Sequence, residues 1–115
     1  MIRTLAALTL ALLMNSPLHA GPRDAQWKRV EEAAAKGLPK TAIEELAPIL
    51  QGALADHAWA EATKALATRI AFEGMIQGNK PEERILRLQA ELAKAPKEMT
   101  PMLDTVLAHW YWQFF

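Results

Sequence analysis

The sequence predicts an all-α fold of about five helices paired as antiparallel hairpins, entered after a signal peptide. Three observations carry this. Beyond residue 20 the chain is dominated by alanine, leucine, glutamate and lysine, which lose little side-chain freedom in a helix. β-Branched residues are sparse and never alternate over a strand-length window, so the helical period is the one that fits. Glycines and prolines fall between the periodic stretches, at Gly37-Leu38-Pro39, Gly78-Asn79-Lys80-Pro81 and Pro96 to Pro101, and cut the chain into segments of helix length.

The first twenty residues read differently. Arg3 is the one early charge, Leu5 to Met14 is apolar without a break, Asn15-Ser16-Pro17 interrupts, and Leu18-His19-Ala20 precedes Gly21. This is the order of a secretory signal peptide, with cleavage expected after Ala20. The apolar run is too short to span a bilayer, which takes about 20 residues. No cysteine follows it to receive a lipid, so no stable membrane anchor is expected in the mature chain. The expected location is outside the cytoplasm, periplasmic or secreted. The expected division is a signal peptide over 1–20 and a helical-hairpin domain over 21–115.

Within that domain the first helix is expected from Asp24 to Lys36, with Asp24 as N-cap and Trp27, Val30 and Ala33 or Ala34 on one face. Gly37 follows as the left-handed residue that ends it. The second helix runs from Pro39 to Ala55, with a stripe of Ala42, Ile43, Leu46, Ile49, Leu50 and Leu54. Pro48 lies inside it, and an interior proline predicts a kink near Glu45–Ala47, with Gly52 weakening the last turn. Asp56 is the next expected N-cap, for a third helix from His57 to Gln77 carrying Trp59, Ala62, Leu66, Ile70 and Glu73. The fourth, Pro81 to Ala95, has Ile85, Leu88 and Leu92 as its seam and Glu82, Glu83, Arg84, Arg87 and Glu91 toward water. Thr100 is expected to cap the fifth, with Leu103, Val106, Leu107, Trp110 and Phe114 on one side. Short connections make sequential helices antiparallel neighbours, arranged as a tetratricopeptide-like solenoid or as a small bundle.

Composition excludes several functions. Without residues 1–20 the chain holds 12 Lys+Arg against 13 Asp+Glu, so it has no basic excess to neutralise phosphates and no nucleic-acid partner is expected. The absence of cysteine removes a thiol nucleophile, a thioester and a cysteine zinc site. His57 and His109 lie on different helices without the i, i+4 spacing of a helical metal site, so no metal or cofactor is expected. The pairs Glu31-Glu32, Glu44-Glu45 and Glu82-Glu83 point about 100° apart on a helix and do not form facing dyads. Thr41 and Thr100 have no neighbouring histidine. No catalytic residue is assigned and the chain is not expected to be an enzyme.

The aromatic end is the candidate interaction surface. Trp110, Tyr111, Trp112, Phe114 and Phe115 make the fifth helix apolar on nearly every side, and soluble monomers rarely leave such a patch uncovered. It is expected either to pack against chain that follows, the preferred alternative, or to pair two copies if the chain is complete.

The stretch QWKRVEEAAAKGLPKTAIEELAPIL, Gln26 to Leu50, resembles the segment that follows the signal peptide in bacterial, planctomycete-type alpha-2-macroglobulin-like proteins. Trp27 and Lys28 match the pair that opens a helix there. Lys36, Gly37, Leu38, Pro39, Lys40, Thr41 and Ala42 match the turn into the next. Ile76 to Glu83 and His109 to Phe115 look similar as well. The resemblance implies a non-catalytic N-terminal helical part of a longer, protease-inhibitor-type protein, whose partner is protein: its own downstream domains or an envelope protein. The trapping machinery of that family lies in β-domains and, in some members, a Cys-Glu-Gln thioester, and this chain contains neither.

Overall fold

The computed structural model describes residues 21–78 and 80–115. The signal peptide expected over 1–20, and Asn79, lie outside the described residues. Among the described residues five α-helices follow one another: α1 Asp24–Ala35, α2 Pro39–Ala55, α3 Trp59–Ile76, α4 Pro81–Lys94 and α5 Thr100–Phe114, with a 3-10 turn at Lys97–Met99 before α5. No strand occurs among the described residues. The protein is a small all-α bundle.

Each helix packs on the next, and α3 also meets α5 and the 3-10 turn. Ion pairs fix the direction of α4 against α3. Arg69 meets Glu91 and Arg87 meets Glu73, so residue numbers rise on one helix as they fall on the other. Two apolar clusters result. Val30, Ala33, Ala42, Leu46, Ile49 and Ala65 join α1, α2 and one side of α3. Ala62, Leu66, Ile70, Ile85, Leu88, Met99, Leu103 and Trp110 join the other side of α3 to α4 and α5. Ala33, Ala42, Ala53, Ala62 and Ala65 are all buried, and their small side chains let α1, α2 and α3 pack closely.

The turn after α1 forms as expected. Gly37 has φ +71°, its N–H donates to the Ala34 carbonyl, and Leu38 N–H donates to the Ala33 carbonyl. The turn after α2 repeats this geometry without a glycine. His57 has φ +56° and donates to the Leu54 carbonyl, while Ala58 donates to the Ala53 carbonyl. Asp56 is therefore the C-cap of α2 rather than the N-cap of α3, which begins two residues later than expected.

None of the three expected N-caps makes a side-chain capping bond. Asp24 already lies in the first turn of α1, where its carboxylate accepts from Gly21 N–H. Asp56 is taken by Arg23. Thr100 is entered from the 3-10 turn, so no bare helix start lies ahead of it for a hydroxyl to cap. Pro48 does not split α2, which continues to Ala55. Pro48 and Glu44 are both exposed, so the Glu44 carbonyl that loses its helical partner is left to water. On α4, Glu82 and Glu83 do face solvent. Arg84, Arg87 and Glu91 instead reach neighbouring helices, because a guanidinium or glutamate stem at the flank of a seam can span to the next helix.

Candidate interaction surface

α5 divides the aromatic end in two. Leu103 and Trp110 are buried, and Val106, Leu107 and Phe114 pack on the same cluster. The Arg84 guanidinium lies over the rings of Trp110, at 5.6 Å, and Phe114, at 5.3 Å, and closes that end of the core. The expected five-residue surface is thereby corrected: Trp110 and Phe114 belong to the core. Tyr111, Trp112 and Phe115 point outward, with 45%, 87% and 72% of their surface exposed. Helical spacing puts Trp112 opposite Leu103, on a stripe with Pro101, Asp104, Thr105, Ala108 and Phe115. Every member of that stripe is exposed.

Tyr111 lies on the flank toward α4, where its hydroxyl accepts from Gln89 Nε2 at 3.1 Å, and its ring is tilted against Phe115 at 6.1 Å. One turn before Gln89, on the same flank, Leu86 is 63% exposed. Sequence reasoning missed Leu86; the signal was a leucine about 100° off the Ile85–Leu88–Leu92 seam. The surface is thus Leu86, Tyr111, Trp112 and Phe115, and Asp104 is the one carboxylate on the α5 stripe. The opposite end of the helix row differs in kind. The outward side of α1 carries Lys28, Arg29, Glu31, Glu32 and Lys36, all exposed.

A buried charge sits elsewhere in the molecule, at a residue with no local signal in the sequence. Arg23 is 8% exposed and joins three elements. Its Nη1 donates to Asp56 Oδ2 at 2.7 Å, and its Nε and Nη2 donate to Glu61 Oε1 at 2.8 and 2.5 Å. Trp27 Nε1 donates to the other Glu61 oxygen at 2.8 Å. Burial pushes the Glu61 carboxyl up, but the bonds from Arg23 and Trp27 outweigh it and hold the group below the ordinary glutamate value. Gly52, inside α2, makes the floor of this site, since a Cβ there would come 3.1 Å from Arg23 Nη1. An open groove of about 700 Å³ lies alongside, lined by Asp24, Trp27, Lys28, Glu61 and Lys64. Both Glu61 oxygens are already engaged and Lys64 lies 4.2 Å from the Trp27 ring centre, so this cluster ties α1 to α3 and presents no free base.

The histidines are apart in role. His57 stacks on Trp59 at 5.0 Å, and His109 is exposed on α5. Among the described residues no group of three or more His, Cys, Asp or Glu side chains is placed to hold a metal ion, and no helix is long and apolar enough to cross a membrane. Glu45 pairs with Arg29, and Glu83 lies 3.9 Å from Lys80.

No family model, no curated protein and no solved structure matches this chain.

Proposed function

We propose that this chain is a non-catalytic, exported helical module that binds protein through the outward face of α5. The observation that carries this is Trp112, an indole 87% exposed beside exposed Phe115 and Tyr111, on the end of the helix row opposite the charged face of α1. Exposed aromatic clusters of this kind mark contact surfaces, because tryptophan and tyrosine bury much area with little loss of freedom. The context is an alpha-2-macroglobulin-like protein, and it rests on the resemblance of Gln26 to Leu50. A photo-crosslinking residue in place of Trp112 should capture a protein in the expressing cell, while the same residue in place of Glu32 should not. Equal or absent capture at both positions would sink the reading.

A second reading is a free-standing adaptor that dimerises. The nearly uncharged α5 stripe favours it, since two copies meeting there bring no cluster of like charges together. Sequencing the locus past the Phe115 codon separates the two contexts. An open frame that runs into macroglobulin-like β-domains supports the first; a stop codon supports the adaptor.

A further inference from the structure

We infer that the occupant of the outward α5 face is a second copy of this chain, with the two α5 helices packed antiparallel about a two-fold axis at Ala108. The inference rests on the reading of α5 as a docking face. Its grounds are the order of side-chain sizes along the stripe and the distribution of charge. The N-terminal half of the stripe, Pro101, Asp104 and Thr105, is slim. The C-terminal half, Trp112 and Phe115, is bulky. Ala108 lies at the centre, and all six residues are exposed.

An isologous pair must be complementary to itself. Antiparallel packing about Ala108 meets this condition: each Trp112 lies across from Asp104 and Thr105 of the other copy, and each Phe115 across from Pro101. The two alanines meet at the axis, where backbones approach most closely. Parallel packing would set Trp112 on Trp112 and leave a gap at Thr105. Charge agrees. Asp104 is the stripe's one carboxylate, and across the axis it faces an indole N–H, a donor, rather than its own copy.

On α4, exposed Leu86 lies one turn before Gln89, which bonds to Tyr111, and extends the contact. α5 has 15 residues and is about 22 Å long. A contact made by one such helix pair sits at the low end of interface sizes, where encounters are weak and transient, so the dimer is expected to dissociate on dilution.

The absence of cysteine makes the register testable. In the purified protein, sedimentation should show a mass that doubles as concentration rises through the micromolar range. Trp112→Glu should weaken the dimer at least tenfold. Ala108→Cys should oxidise to a disulfide-linked dimer much faster than Glu32→Cys. Thr105→Cys should lag behind Ala108→Cys, because antiparallel packing separates the two copies of residue 105 by about 9 Å along the axis, beyond disulfide reach. Residues 32, 105, 108 and 112 are all exposed, and circular dichroism should show unchanged helicity in each variant. A mass that stays monomeric at all concentrations, or equal oxidation at residues 32 and 108, overturns the inference. Oxidation as fast at residue 105 as at 108 overturns the antiparallel register. If the purified protein is monomeric while a crosslinker at residue 112 still captures another protein in the cell, the docking face stands and the second copy falls.

Discussion

Single residues carry two kinds of strain and satisfaction here. Gly37 and His57 occupy equivalent left-handed positions, but histidine has a Cβ and glycine does not. A left-handed L-residue costs about 1–2 kcal/mol, which the stacking of His57 on Trp59 offsets in part. His57→Gly is therefore expected to stabilise the protein by about 0.5–1 kcal/mol, and Gly37→Val to destabilise it by about 1–2 kcal/mol, both read from urea midpoints. A loss of stability in His57→Gly would show that the stack outweighs the backbone. Glu61 makes a pH prediction. Its carboxyl is held below the ordinary value of 4.5, so its contribution is present at neutral pH and is lost as pH falls below that value through the folded-state pKa. The melting temperature should drop in that acid range. Glu61→Gln should lower it at pH 7 and flatten the acid fall; an unchanged acid fall in the variant would assign the effect to other carboxylates.

At the scale of elements, helices were legible where their signals are local. The bounds of α2 and the grouping of Leu103, Val106, Leu107, Trp110 and Phe114 on one side of α5 follow from proline placement and 3.6-residue spacing, which act within a turn or two. Caps were less legible, because a side chain able to cap also serves a distant partner: Asp56 goes to Arg23, 33 residues away. The split of α5 yields the sharpest contrast. Trp110→Ala should cost about 3–5 kcal/mol through the cavity it leaves under Arg84, whereas Trp112→Ala should change the folding stability of the monomer by no more than about 0.5 kcal/mol. Denaturant melts at low protein concentration measure both, and similar losses in the two variants would contradict the assignment of Trp110 to the core.

For the whole molecule the key element is α3, which supplies Ala65 to one cluster and Ala62, Leu66 and Ile70 to the other. Leu50 of α2 packs against both. Two clusters that share a helix are expected to unfold together. Leu46→Ala in the first cluster and Leu88→Ala in the second should each cost about 2–5 kcal/mol while unfolding remains a single transition by fluorescence and by circular dichroism. Two separated transitions in either variant would show that the α1–α2 pair and the α4–α5 pair are independent units.

By itself the sequence determined the fold class, the number and order of the helices among the described residues and the glycine turn after α1, because helix propensity, periodicity and turn chemistry act between residues a few places apart. Only the tertiary structure decided which aromatic residues of α5 lie inside. A helix apolar on nearly every side has no period to point its core face, and that face was set by where α3 and α4 lie. The tertiary structure likewise decided that Arg23 is buried, since its two carboxylate partners come from 33 and 38 residues along the chain and meet it only once α1, α2 and α3 are packed.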